Sequence, residues 1–219
     1  MISGIVAINK PKGPTSHDII SQVRRITGIK KVGHAGTLDP LASGVLVVAI
    51  GRENTKKINT IVKSEKEYIA KIKFGETSTT DDAEGLKTSI VNVETFNQTF
   101  PILKETSIKK VLQKFIGEIE QVPPAFSAIK MNGKKAYELA RSGQAVEMKA
   151  RQVFIKEIEL LKYEWPYLDI RIVCGSGTYI RSLARDIGEA LKVGAYMAEL
   201  QRTRVGEYTL EQAVDLAKI

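Results

Sequence analysis

Two rhythms of apolar and polar residues run along this chain. Gly4 to Ile8 reads as a short apolar strand, which Lys10-Pro11-Lys12-Gly13-Pro14 interrupts with a turn. Ile19, Ile20, Val23 and Ile26 then recur at helical spacing, which predicts a helix with Ser16 as N-cap and Gly28 at its end. A glycine-rich loop, Gly33 to Gly44, leads into the unbroken apolar run Val45 to Ile50, a buried strand. Asn54 to Val62 predicts a second short helix, and Tyr68 to Phe74 alternates as a strand does. Thr77 to Gly85 is a polar, acidic loop, and Ser107 to Ile116 has a capped helical pattern before Pro123-Pro124. Phe126 to Met131 predicts a strand, Asn132-Gly133 a turn, and Lys135 to Arg141 a short basic helix closed by Gly143. Val153 to Tyr163 and Leu168 to Cys174 have the pattern of an antiparallel pair. A helix over Thr178 to Leu191 buries Ile180, Leu183, Ala184, Ile187 and Leu191, and a strand near Met197 to Val205 precedes a final helix. Strands and helices mixed without strict βαβ alternation point to an α+β fold with a mixed, largely antiparallel sheet flanked by helices. No internal repeat or low-complexity linker divides residues 1–219, which are expected to form one catalytic domain.

Composition adds bounds. The 219 residues are 43% hydrophobic and 26% charged, ordinary values for a folded protein. The longest apolar runs fall far short of the ~20 residues of a membrane span, so a cytoplasmic protein without membrane contact is expected. Cys174 is the only cysteine, which excludes an intrachain disulfide, and its apolar flank reads as a buried, inert thiol. The net charge of +8 is uneven. Lys10, Lys12, Arg24, Arg25, Lys30 and Lys31 face only Asp18, and Lys130, Lys134, Lys135, Arg141, Lys149 and Arg151 face only Glu138 and Glu147. Two such clusters suit a grip on a polyanion, although solvated surface faces would give the same counts.

The candidate chemistry concentrates in Gly33-His34-Ala35-Gly36-Thr37-Leu38-Asp39-Pro40-Leu41-Ala42-Ser43-Gly44. Pro40 disfavours the helical region for Asp39 and holds its carboxylate on an extended shelf. An Asx turn in which Asp39 bonds its own backbone is the competing reading. Arg181, in the first turn of a helix, sits where the macrodipole already supplies positive charge and therefore demands an anionic partner. Asp39 is a candidate for that partner, and an exposed, solvated arginine is the alternative. His34 has no second ligand at metal-binding spacing, since His17 belongs to no Cys or Glu motif, so no metal is expected. No phosphate-cradling Gly-Lys-Ser/Thr loop or dinucleotide fingerprint occurs, so no cofactor is expected either. Phe126 to Gly143 interleaves Phe126 and Tyr137 with Lys130, Lys134, Lys135 and Arg141, a mixture suited to stacking on bases and tracking phosphates, or equally to an amphipathic helical hairpin.

At these residues the chain resembles the TruB type of tRNA pseudouridine synthase, which modifies uridine 55 in the T loop. Asn9-Lys10-Pro11-Lys12-Gly13-Pro14-Thr15-Ser16 resembles the family's first block, and residues 33–44 resemble its catalytic block. Lys66-Glu67-Tyr68 matches the block with an active-site tyrosine, and Gly177-Thr178-Tyr179-Ile180-Arg181-Ser182-Leu183 the block with an arginine that pairs with the catalytic aspartate. The resemblance implies the pseudouridine synthase fold, with Asp39 as catalytic carboxylate, Arg181 as its ion-pair partner and Tyr68 as a ring against the base that takes part in proton transfer. It further implies His34 beside the flipped-out nucleotide, Leu200 lining the pocket, Tyr179 among the substrate-facing residues, and an RNA-binding thumb over about 126–143. Lys10, Lys130, Lys134 and Arg141 are the expected RNA contacts.

The implied reaction cleaves the N-glycosidic bond of a uridine flipped from its stack, turns the uracil and rejoins it through C5, without cofactor. The expected partner is the T stem-loop of tRNA, and the expected working unit is a monomer. A guide-RNA-dependent relative and a catalytically silent tRNA chaperone are the alternatives. Two departures qualify the likeness. Many bacterial members continue into a PUA-type module, whereas this sequence is expected to lack one. The family's Thr-Asp-Thr run is here Ser78-Thr79-Thr80, with Asp82 and Gly85 in place.

Overall fold

The computed structural model describes residues 3–90, 103–131, 133–144 and 146–218, apart from the side chains of Arg141 and Ala217. The chain forms two compact units, one of residues 1–69, 171–176 and 199–219, the other of residues 70–170 and 177–198. Strands β4 (Lys66–Phe74), β11 (Tyr167–Cys174) and β12 (Ala195–Val205) contribute residues to both.

In the first unit, β1 (Gly4–Lys10) lies antiparallel to β3 (Ser43–Ile50), in a register that sets Lys10 opposite Gly44. The other edge of β3 takes β12 in parallel at Ser43 and Gly44, and β2 (Val32–His34) antiparallel from Val48 to Ile50. The short β13 (Tyr208–Thr209) pairs with β12. With both edges occupied and every residue from Gly44 to Ile50 buried, β3 is the unit's centre, which accounts for its unbroken apolar sequence. Val45 and Val47 pack with Ala7, Ala35 and Val205, and α2 (Arg52–Lys63) contributes Ile58, Ile61 and Val62 to that cluster. Helix α1 (Ser16–Thr27) buries Ile19, Ile20 and Val23 as its spacing foretold, and Gly28 closes it at φ 70°. Its N-cap, however, is Thr15 rather than Ser16: Thr15 and Asp18 form a reciprocal capping box, which releases Ser16 for another task.

In the second unit the strand order is β4, β11, β10 (Arg151–Glu164), β7 (Gly117–Gln121), with β7 antiparallel to β10. A short ribbon of β5 (Glu76–Ser78) and β6 (Lys87–Ser89) encloses the acidic loop. Helix α3 (Glu105–Gln113) buries Ile108, Val111 and Leu112. The basic segment forms a ribbon of β8 (Lys130–Met131) and β9 (Lys134–Lys135), followed by α4 (Ala136–Arg141). Only the last two residues of the strand predicted from Phe126 are paired, and Asn132 of the predicted turn lies outside the described residues. Helix α5 (Ile180–Ala190) buries Ile180, Leu183, Ala184 and Ile187. At the C-terminal end, the predicted final helix amounts, among the described residues, to one 3₁₀ turn at Leu216–Lys218. The architecture is α+β, with a mixed, largely antiparallel sheet and helices.

Candidate active site

Within the first unit the segment 35–42 is fastened at nearly every residue. Ala35 donates its N–H to Val47 (2.8 Å), and Gly36 accepts from Arg202 Nη2 (3.1 Å). Ser16, freed from capping, grips Leu38 from both sides: its hydroxyl donates to the Leu38 carbonyl (2.9 Å) and accepts from the Leu38 N–H (2.8 Å). Asp39 follows, half-buried, and its carbonyl accepts from Ala42 N–H at 3.1 Å. Pro40 accepts from Gly13 N–H at 2.8 Å. Asp39 thus projects from a backbone whose freedom has been removed on both sides, the condition for a carboxylate held in one place.

Two buried cations complete that cage. Lys10, fully buried, donates its ammonium to the carbonyls of Ala42 (2.6 Å), Pro11 (2.8 Å) and Pro40 (3.4 Å). Burial lowers its pKa to about 8, against the opposing pull of Asp39. Lys10 was expected to contact RNA; in the structure its ammonium is buried and engaged with three carbonyls, so it holds the loop. Arg202, 1% exposed, donates Nε to Val45 (2.8 Å) as well as Nη2 to Gly36, so it joins the loop's entry to the strand that leaves it. Gly44 makes this approach possible: at φ 102°, a Cβ there would sit 2.2 Å from the Arg202 carbonyl oxygen.

Tyr68 is buried on β4, within electrostatic reach of Arg202, Cys174 and Asp39. Burial pushes its phenol upward, an effect Arg202 counters, so the hydroxyl is protonated at neutral pH. Burial, with Arg202 and His17, pushes His34 below the usual imidazole range, so the ring is neutral. Its Nδ1 is buried without a hydrogen-bond partner. Lys66, also buried, donates to Val62 and to Ser64 (2.7 Å). Leu200 lies half-buried on β12, and Cys174 is buried as expected.

The second unit holds Arg181, in the first turn of α5 as predicted and only 6% exposed. Its guanidinium pairs with Asp82 (3.3 Å) and donates to the carbonyls of Thr80 (3.3 Å) and Phe126 (2.9 Å). Asp82, equally buried, also accepts from the Thr80 hydroxyl and from Glu84 N–H (3.0 Å). Tyr179 is the N-cap of α5, with no side-chain cap bond to the helix; Gln121 accepts from its N–H (2.8 Å) and donates to its carbonyl (3.1 Å). Lys130 and Lys134 are exposed on the β8–β9 ribbon, and Arg141 ends α4. Lys135 lies over the Tyr137 ring at 5.4 Å.

The structure therefore gathers Asp39, Tyr68, His34 and Lys10 in one unit and Arg181, Tyr179, Lys130, Lys134 and Arg141 in the other. Sequence reasoning did not single out Arg202, Lys66 or Gln121. The signal for Arg202 was its place two residues after Leu200, but a sequence does not show that an arginine is buried. Among the described residues, no group of three or more His, Cys, Asp or Glu converges on a point where a metal ion would be held. None of their helices is long and apolar enough to cross a membrane.

The chain is 43% identical over its full length to tRNA pseudouridine synthase B of Thermobifida fusca, of which it covers 75%. With the Bacteroides fragilis protein of that name it shares 47% identity over 98% of its length, covering 91% of the relative. Among solved structures, an archaeal box H/ACA Nop10-Cbf5 complex matches with a TM-score of 0.69 at 31% identity, and a Cbf5-Nop10-Gar1 complex with 0.72 at 32%. Each match covers 98% of this chain, which spans about half the solved chain, 52% in both cases. The TruB family pseudouridylate synthase N-terminal domain matches residues 24–180, and the tRNA pseudouridylate synthase B C-terminal domain matches residues 181–219. A family domain over most of the chain, and relatives this similar across their own lengths, mean that the chain belongs to the TruB family of pseudouridylate synthases.

Proposed function

We propose that this protein isomerises uridine 55 in the T loop of tRNA to pseudouridine, using Asp39 as the catalytic carboxylate. The observation that carries the reading is the caged loop: a half-buried aspartate between fastened residues, beside the buried cations Lys10 and Arg202 and the protonated phenol of Tyr68. Neighbouring positive charge favours an ionised carboxylate, the form a nucleophile needs. In the reaction the C1′–N1 bond breaks, the freed uracil turns, and a C1′–C5 bond forms while the C5 proton leaves and N1 gains one. Reaching the glycosidic bond requires the uridine to leave its stack, and neutral His34 and half-buried Leu200 line its expected path. Tyr68 stacks on the base and assists the proton transfer, Arg181 serves as counter-ion to Asp39, and Tyr179, the exposed Lys130 and Lys134, and Arg141 receive the RNA.

The test is tritium release from a T-arm stem-loop carrying C5-tritiated uridine, with carbodiimide primer extension to locate the product. Wild-type protein alone is expected to release tritium and give a stop at position 55. Asp39→Asn is expected to bind the stem-loop and release none. Release that requires added guide RNA and partner proteins would favour the guide-dependent reading, and stem-loop binding without release under any of these conditions the chaperone. A full rate in Asp39→Asn would overturn the role of Asp39.

A further inference from the structure

Arg181 has a counterpart one helical turn along α5. Arg185 Nη1 pairs with Asp81 at 2.8 Å and its Nη2 donates to the Val122 carbonyl at 3.0 Å. Arg181 pairs with Asp82 and donates to the carbonyls of Thr80 and Phe126. The two arginines, four residues apart on one face of the helix, thus bridge the same two segments, 80–82 and 122–126. Each takes one of two consecutive aspartates from the first segment and a backbone carbonyl from the second.

The outer rung is built with care. Asp81 adopts φ 60°, a left-handed conformation that glycine accepts most readily. A carboxylate occupies the position nonetheless, and it is the carboxylate that Arg185 uses. The Asp81 backbone is fixed on both sides, its N–H donating to Ser78 (3.1 Å) and its carbonyl accepting from Met197 N–H (3.0 Å). Val122 is held twice, by Arg185 and by the Ser182 hydroxyl at 2.8 Å. Arg185 is itself braced by Asp186 at 2.8 Å. Side-chain exposure is 23% for Arg185 and 15% for Asp81, against 7% and 4% for Arg181 and Asp82.

We propose that Arg185, through Asp81 and Val122, is a positioning residue for Arg181: it fixes the two backbone segments whose oxygens orient the inner guanidinium. The inference rests on the proposed role of Arg181 in the reaction. Arg185 touches no reacting atom. Its loss leaves the acceptors of Arg181 chemically intact but lets the loop 80–82 and the segment 122–126, which carry them, shift against α5. Misplacement of a catalytic group by about 1 Å costs on the order of 100-fold in rate.

Arg185→Met, Arg185→Lys, Asp81→Asn and the double variant Asp81→Asn/Arg185→Met are assayed for tritium release from the T-arm stem-loop. Wild type and Asp39→Asn run in parallel, below the melting temperature of every variant. The expected result is a kcat lowered about 10- to 100-fold in Arg185→Met, with KM within about twofold of wild type. Asp81→Asn loses less, and the double variant is no slower than Arg185→Met, because the two changes break one connection. A kcat unchanged within twofold in the single variants would overturn the proposal, as would a loss confined to KM or multiplicative losses in the double variant. If Arg185→Met does not fold, Arg185→Lys and Asp81→Asn carry the same test, with kcat falling at unchanged KM. Failure of the underlying functional reading is recognised separately, by wild-type protein that releases no tritium.

Discussion

Lys10 shows how a single buried charge is accommodated. An ammonium removed from water is costly unless its protons find acceptors, and here the carbonyls of Pro11, Pro40 and Ala42 supply them, so the charge is turned into a clamp on the Asp39 loop. The remaining cost appears as the fall in pKa from 10.5 to about 8. The sign follows directly. Below pH 8 both folded and unfolded chains carry the proton and the penalty is complete; between 8 and 10.5 the folded chain releases it first, so stability rises with pH. A shift of this size corresponds to about 3 kcal/mol. The urea stability of wild type minus that of Lys10→Met should therefore increase by up to this amount between pH 8 and 10, and a flat difference would refute the shift. At the neighbouring Gly44 a methyl group would meet the Arg202 backbone at 2.2 Å on a left-handed φ. Gly44→Ala should lose about 2–5 kcal/mol in the same denaturation, by strain added to overpacking. The Asp39 loop stood out as a dense run of glycine, proline and acid, and the resemblance of its block, rather than that local chemistry, singled out the carboxylate. The burial of Lys10 and Arg202 was not, because a count of charges treats every lysine and arginine as solvated.

At the scale of elements, apolar periodicity located helices and strands wherever one face meets a core, as in α1, β3, β4 and α5. It failed where pairing rather than patterning makes the element. Gly117-Glu118-Ile119-Glu120-Gln121 carries one large apolar residue, yet it forms β7 because β10 offers it a full register. His34 was assigned to the glycine-rich loop and belongs to β2, which is held by the edge of β3. The start of α5 was misjudged for a related reason. The helix was expected from Thr178 and begins at Ile180, because its N-cap is Tyr179, held by the amide of the distant Gln121 rather than by a local Ser or Thr. Both halves of the Gln121 amide are engaged and the residue is buried, so Gln121→Leu strands the Tyr179 N–H and leaves its carbonyl with the helical bond from Leu183 N–H. Each orphaned group costs roughly 1–3 kcal/mol. We expect a loss of about 1–3 kcal/mol in urea unfolding at constant m-value, and a change under 0.5 kcal/mol would show that water substitutes for the Gln121 amide.

Over the whole molecule the net charge of +8 matters through its placement. In the first unit, Lys12, Arg25, Lys30 and Lys31 are exposed, while Lys10 is consumed internally and Arg24 bonds the Val32 carbonyl. In the second unit, Lys130, Lys134, Lys135, Lys149 and Arg151 are exposed. Each unit therefore presents its own cations to solvent, and a single RNA held by both would release counterions from both. Affinity for the T-arm stem-loop should then fall with salt, with a log–log slope of about −0.7 to −0.9 for each phosphate neutralised. Lys134→Glu should make that slope shallower by about one contact, Lys30→Glu/Lys31→Glu by up to two, and the triple variant by the sum, with weakening that vanishes at high salt. Charges outside the interface leave the slope untouched when reversed. A wild-type slope in Lys134→Glu would remove the β8–β9 ribbon from the RNA contact and leave the first unit's lysines as the grip, whereas a wild-type slope in Lys30→Glu/Lys31→Glu would assign the grip to the second unit. A slope near zero in the wild-type protein would show that shape and stacking, rather than the basic clusters, hold the RNA.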